Sequence, residues 1–431
     1  MFFRMIYDDA LAQAAYLIGC QKTGEAIVID PQRDVDRYID IARANGLRIA
    51  AAAETHIHAD FLSGTRELAE QTGATAYLSG EGGPDWSYAW LDKKSGGGSY
   101  PHRLLHDGDT FRVGGIEFRV LHAPGHTPEH ICFAVTDHGG GATEPMGVVT
   151  GDFVFVGDLG RPDLLESAAG VAGVKEDAAR TLHRSTRKFL ELPDHWQVWP
   201  GHGAGSACGK ALGAVPQSTV GYEKRFNEAI RAACDEAGFV RSILTGQPEP
   251  PLYFARMKRE NKLGPAVLGG LPRPAPIGVD ELISLAAQSP ARASPAAWRF
   301  DAATADAESG GVALIDTRGW AQFRAGHVPG ALFFPVNSSF PTDAGSMIHA
   351  GEDIYLIIRP AELETAVRML IRVGLDRVRG WFDVARLDEY RAAGGPWTAT
   401  TEISVEQARA WLSGEPPNVA SRAGAAVGAK P

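Results

Sequence analysis

Cysteine is scarce in this 431-residue chain: Cys20, Cys132, Cys208 and Cys234 are its four, widely spaced and without a C-x-x-C pair. That scarcity excludes a disulfide framework. No apolar run approaches the roughly 18 residues of a membrane span, and the opening Met1-Phe2-Phe3-Arg4-Met5 has neither the basic start nor the apolar core of a signal peptide. The expectation is a cytoplasmic protein with no membrane partner. Positive charge is also in short supply, 42 Lys and Arg against 52 Asp and Glu for a net charge of -10, which argues against a nucleic-acid partner. What remains is an ordinary globular composition, 44% hydrophobic and 22% charged. At this length two or three domains are expected, since one core rarely grows so large.

The chain gathers polar chemistry at strand ends. An apolar run over 47–53 reads as a buried strand and delivers Thr55-His56-Ile57-His58-Ala59-Asp60-Phe61-Leu62-Ser63-Gly64, after which 65–70 reads as a helix. Two imidazoles and a carboxylate at i, i+2 and i+4 in a strand-to-helix loop have a metal-site spacing. Period-two strands over 109–113 and 116–121 then lead into His122-Ala123-Pro124-Gly125-His126-Thr127-Pro128-Glu129-His130. A third apolar run, 146–150, ends in Gly151-Asp152, and Val198-Trp199-Pro200 ends in Gly201-His202-Gly203. Four converging blocks suit a metal, which needs several ligands at once. From spacing alone His58 is either a ligand or the support of one. His122 and His130 read as packing or supporting residues, Cys132 and Cys208 as inert thiols. Arg161 and Asp163 read as an ion pair behind Asp152, with substrate contact by Arg161 as the second reading.

In order and content these blocks resemble the metallo-β-lactamase superfamily over roughly the first 250 residues. The resemblance implies an αββα sandwich with a one- or two-metal centre. In binuclear hydrolases of glyoxalase II type, Asp60 would be followed by a His that helps hold the second metal; here Phe61 stands in that place and offers no donor atom. A single metal is therefore expected. Together with Gly160-Arg161-Pro162-Asp163, the blocks are similar to those of the persulfide dioxygenases, relatives of the ethylmalonic encephalopathy protein. That resemblance implies one Fe(II) held by His56, His126 and Asp152, with His58, Asp60 and His202 orienting ligands or moving protons. It further implies oxidation by O2 of a low-molecular-weight thiol persulfide such as glutathione persulfide, to sulfite and thiol. The alternative is a zinc thioester hydrolase of glyoxalase II type. Cationic stretches that suit an acidic thiol carrier are Tyr222, Lys224 and Arg225 in one run and Lys258 in 256–262, with a solvated helix face as the competing reading of each.

Proline-rich punctuation over 263–277 reads as an extended linker, closing a first domain at 1–262. A second unit, 278–396, opens with a helix over 279–286 and a buried strand over 311–318. It carries Asp316-Thr317-Arg318 and Gly326-His327-Val328-Pro329-Gly330-Ala331, which resemble the rhodanese homology domain and imply a small α/β fold on a parallel sheet. Rhodanese chemistry needs a thiolate at the end of the next buried strand, yet 354–358 runs into Arg359-Pro360-Ala361-Glu362, and no Cys follows Cys234. Without a soft nucleophile the unit cannot carry sulfane sulfur. It reads as structural or docking, with contact between protomers of a homo-oligomer and supply by a separate sulfurtransferase as open partner expectations. Residues 397–431 read as the start of a truncated second repeat or a disordered tail.

Overall fold

The computed structural model describes residues 1–167, 173–289 and 310–413. Two six-stranded sheets carry the front of the chain. The first runs in spatial order β1 (Phe2–Asp8), β2 (Gln13–Cys20), β3 (Glu25–Ile29), β4 (Arg48–Ala53), β5 (Thr75–Ser79), β6 (His102–Leu105). The second sheet uses β7 (Thr110–Val113), β8 (Ile116–His122), β9 (Ile131–Asp137), β10 (Gly147–Gly151), β11 (Gln197–Pro200) and β12 (Ser218–Thr219). Tyr16, Ile18, Ile27 and Ile29 of one sheet meet Phe118, Val120, Phe133 and Val149 of the other in a common core. On the outer face of the first sheet, Tyr38 and Ala42 of helix Asp36–Ala44 and Leu68 of helix Thr65–Thr72 pack on Leu17, Val28 and Ala52. Helices Lys175–Phe189 and Glu236–Leu244 do the same for the second sheet through Leu182, Phe189 and Phe239. The layers are α, β, β, α, as the resemblance implied. In β2 and β3 nearly every residue is buried, so these strands read as apolar runs rather than as alternation.

A third sheet is entirely parallel, in order β13 (Ala275–Pro276), β17 (Val378–Asp383), β16 (Asp353–Ile358), β14 (Val312–Asp316), β15 (Leu332–Phe333). The expected linker differs from a free spacer. Its last residues form β13 against β17, and its middle is pinned to the front unit, where Glu67 accepts from the backbone N–H groups of Leu268 (2.7 Å) and Gly269 (2.9 Å). Trp397 and Thr398, expected in the tail, belong to the back sheet unit: Thr398 exchanges backbone hydrogen bonds with His327, and Trp397 packs beside Tyr390. A helix, Val405–Leu412, follows; the Ala/Gly-rich end from 414 lies outside the described residues.

The front and back units share one apolar cluster, in which Phe61, Leu62, Phe155, Cys208, Tyr253 and Met257 join Phe340, Ala344, Ile348, Ile371 and Val373. Charged groups close the same interface. Arg372 donates to both oxygens of Asp34 (2.9 and 2.6 Å) and to Asp8, while Arg368 reaches Asp36 (2.8 and 2.6 Å). Buried ion pairs of this kind register one surface on another even where their net stabilisation is small. Among the described residues no helix is long and apolar enough to cross a membrane.

Candidate metal centre

The four loops predicted to converge do so at one edge of the paired sheets. His56, His126 and Asp152 bring one ligand atom each within 4.8 Å of one another, all buried. Asp152 Oδ2 lies 3.7 Å from His126 Nε2 and 4.0 Å from His56 Nε2. Each imidazole is fixed through its other nitrogen. His126 Nδ1 donates to the Arg161 carbonyl (2.9 Å), and His56 Nδ1 meets the Thr55 hydroxyl (3.0 Å), which itself donates to Asp30 (2.9 Å). With Nδ1 engaged, Nε2 is the free lone pair on both rings. Burial, reinforced by the neighbouring imidazoles, holds His56 well below its ordinary pKa; burial also lowers His126 despite Asp152. Both are neutral at pH 7, as a metal requires.

Asp152 is a buried carboxylate among imidazoles. Burial alone would raise its pKa, yet His202 and His126 outweigh that and hold it below the usual carboxylate range. Neither of its oxygens has a hydrogen-bond partner. An ionised, unpartnered, buried carboxylate is costly unless it meets a cation. The donor set of two imidazoles and one carboxylate fits a non-haem iron and equally admits zinc. The local backbone is built for this approach: Gly151 has φ +50°, and a Cβ there would stand 2.4 Å from the Thr55 hydroxyl, while one at Gly201 would stand 2.6 Å from Asp152 Oδ1.

Three residues expected as supports surround the ligands. His58 Nε2 is 3.1 Å from Asp30 Oδ1; burial works against its charge, but Asp30, Asp60 and Glu54 override it and raise His58 to about 9. A protonated ring is no ligand. Asp60 Oδ2 lies 3.2 Å from His202 Nε2, which is 3.4 Å from Asp152 Oδ1. Phe61 stacks on His58 with centroids 4.4 Å apart, and Asn261 ties the turn by donating to the carbonyls of His58 (2.8 Å) and Phe61 (2.7 Å).

The cationic residues divide. Arg161 is buried, with Asp163 on one side and the carbonyls of Ala207 (3.2 Å) and Pro248 (2.7 Å) on the other; it braces the loop behind Asp152 with four of its five N–H donors. Lys224 is turned to the Leu192 carbonyl (2.6 Å) and Asp194 (2.7 Å). Tyr222 is exposed against Phe226 on the same helix, Val220–Phe226, whose Val220 packs into the outer helical layer. The structure thus favours the ion-pair reading of Arg161 over substrate contact, and it puts Tyr222, Lys224 and Arg225 on one helix that Val220 anchors in the outer layer, the helix-face reading of that run. Lys258 is different. Its ammonium sits 4.0 Å over the Trp86 ring, and its charge is felt at His126. Burial lowers it to about 8 against the pull of Glu129, itself raised to about 7 by burial.

Sequence reasoning missed Asp30 and gave His130 only as a packing or supporting residue. Asp30, at the end of β3, organises Thr55 and His58 together; only its position at a strand end hinted at this. His130 accepts a hydrogen bond from the Asp152 backbone N–H (3.1 Å) and stacks on His56, so it supports the centre. Cys208 is buried beside Asp60 and His202. A cavity of about 290 Å³ is lined by Met5, Tyr7, Pro200 and His202 among others.

Comparisons with known proteins agree with this architecture. Residues 8–202 match the Metallo-beta-lactamase superfamily. A solved metallo-beta-lactamase from Staphylococcus aureus subsp. aureus COL is 37% identical, with a TM-score of 0.73 over 89% of this chain and 98% of its own. A probable metallo-hydrolase of Burkholderia pseudomallei is 29% identical over 260 residues, 54% of this chain and 82% of its own. The mitochondrial persulfide dioxygenase ETHE1 of Homo sapiens is 26% identical over 238 residues, 55% of this chain and 78% of its own.

Proposed function

We propose that this chain, which belongs to the metallo-β-lactamase superfamily, is a persulfide dioxygenase that oxidises the terminal sulfur of a low-molecular-weight thiol persulfide such as glutathione persulfide. The observation that carries the proposal is the three-sided donor set of His56, His126 and Asp152, with both Asp152 oxygens unpartnered, together with the similarity to a persulfide dioxygenase. Two imidazoles and a carboxylate leave open positions, the arrangement suited to Fe(II) and O2. Iron bound there supplies a site at which O2 and the persulfide sulfur meet.

The chain's own residues do the rest. Asp30 and Thr55 fix the His56 ring, and the Arg161 carbonyl fixes His126, so that both Nε2 atoms face Asp152. His202, between Asp60 and Asp152 and lining the cavity, is placed to pass a proton between cavity and ligands. The charge of Lys258 favours an anionic persulfide near His126. One persulfide, one O2 and one water give one thiol and one sulfite. The back sheet resembles rhodanese but ends β16 in Arg359-Pro360-Ala361-Glu362, where Arg359 pairs with Glu362; we assign it a supporting role, with a separate sulfurtransferase as the source of persulfide.

Product analysis tests the reading. Anaerobically purified protein given glutathione persulfide and O2 is expected to yield sulfite and glutathione in equal amounts. Hydrolysis of a glutathione thioester with no sulfite formed would replace it by the zinc hydrolase alternative.

A further inference from the structure

We infer that Arg372, in the back unit, is a positioning residue for the metal centre of the front unit. One buried guanidinium and its own carbonyl tether the three segments that hold His58, Asp60 and His202 in place. Arg372 ends helix Leu363–Arg372 and is buried. Its Nε and Nη2 donate to Asp34 (2.9 and 2.6 Å), its Nη1 donates to Asp8, and its carbonyl accepts from the Leu62 N–H (2.7 Å).

Each tether ends in a segment that leads to the site. Asp8 closes β1, and its other oxygen accepts from the Leu11 N–H (2.7 Å). The next residue of that loop, Ala12, offers the carbonyl to which His202 Nδ1 donates (3.1 Å). Asp34 lies between β3 and helix Asp36–Ala44, in the loop that begins with Asp30, the partner of Thr55 and His58. Leu62 belongs to the turn that carries His58, Asp60 and Phe61. The three segments are also stitched to one another: Gln13 Nε2 donates to the Asp30 carbonyl (3.0 Å), and the Gly64 N–H donates to the Pro31 carbonyl (2.7 Å).

Backbone strain shows what the tethers are for. Among the described residues two that are not glycine have a left-handed backbone, Ala12 (φ +49°) and Asp30 (φ +52°). Such a conformation costs free energy and persists only where the surroundings enforce it. Both residues stand where a loop hands its hydrogen bond to the site, and each shares its loop with a carboxylate that Arg372 grips. A residue that only glued two surfaces together would require neither coincidence. A planar fork with several donors can hold both carboxylates at once, which the single ammonium of a lysine cannot do in the same geometry.

Metal affinity is the quantity at stake, whichever reaction the metal then serves. A failure to form sulfite would therefore count against the function proposed above and leave the role of Arg372 standing. The experiment measures Fe(II) and Zn(II) affinity anaerobically by chelator competition on full-length protein, under conditions where each variant is fully folded. Arg372→Lys and Arg372→Met are expected to bind metal about 10- to 100-fold more weakly, the loss typical of groups that orient ligands. Leu314→Ala, a truncation in the back unit's own core, destabilises through packing alone and should bind as tightly as the unaltered chain. Unchanged affinity in both Arg372 variants, or an equal loss in Leu314→Ala, would overturn the inference. Reciprocity gives a check on the unaltered protein, valid even where a variant fails to fold. Metal loading should slow amide hydrogen exchange along helix Leu363–Arg372, although the ligands all lie in the front unit; exchange there that is indifferent to metal would refute the coupling.

Discussion

The front and back sheets of this chain solve the same geometric problem and put opposite things in the solution. Both end parallel strands in short loops at one edge, where a rigid scaffold presents side chains. In front, the loops after β4, β10 and β11 supply imidazoles and carboxylates that converge on one point. Behind, β16 ends in Arg359 and Glu362, which satisfy each other in solvent. The difference teaches that strand-end placement makes a site possible, while donor chemistry makes it real. The back sheet retains a use in packing: Arg372 and its neighbours clamp the turn that carries His58 and Phe61, where the Leu62 N–H donates to the Arg372 carbonyl (2.7 Å).

Removing a front-edge donor should have the largest effect. Asp152→Ala is expected to abolish both bound metal and turnover, read by metal analysis and O2 uptake; retention of the metal would place it elsewhere. Next comes the clamp. Arg372→Met removes the charge that Asp8 and Asp34 share, leaving Asp34 only Arg368 and Arg37, which costs about 3 kcal/mol, measurable by denaturant unfolding. Burial pushes Asp34 up, and Arg372, Arg37 and Arg368 outweigh it, so its pKa is lower folded than unfolded. Its stabilising contribution is therefore present above the ordinary carboxylate range and is lost as pH falls below about 4. The variant should show a shallower loss of stability in that acid window; an unchanged acid limb would break the link between the two units.

Asp30→Asn, which weakens the hold on Thr55 and His58, should lower metal affinity about 10- to 100-fold, checked by competition with a chelator. The smallest effects separate two lysines. Lys258→Met should raise the KM for a charged persulfide about tenfold, the value of one charge-assisted contact, whereas Lys224→Met should leave KM unchanged because its partners are Leu192 and Asp194. Equal effects would erase the distinction drawn between the two cationic runs.

Much of this was legible in the chain. Strand ends such as β4 and β10 fell within a residue or two of their expected places because apolar runs stop where polar donors begin. The resemblance to persulfide dioxygenases singled out His56, His126 and Asp152, and the structure brings their donor atoms together. The N-terminal strands β1 and β2 escaped notice, since β2 is buried on both faces and carries no alternation. Asp30 and Arg372 were missed for another reason. Each acts across a separation of 25 to 364 residues, and no local period records a contact between distant segments. For Arg161 the sequence left substrate contact open beside the ion pair with Asp163, and only its bonds in three dimensions show the brace.

The most direct test of the central claim is metal replacement. Metal-free protein reconstituted with one equivalent of Fe(II), or separately of Zn(II), is supplied with glutathione persulfide in an oxygen electrode. The account predicts one O2 consumed per persulfide with iron and none with zinc. O2 uptake absent with iron, alongside thioester hydrolysis with zinc, would contradict it.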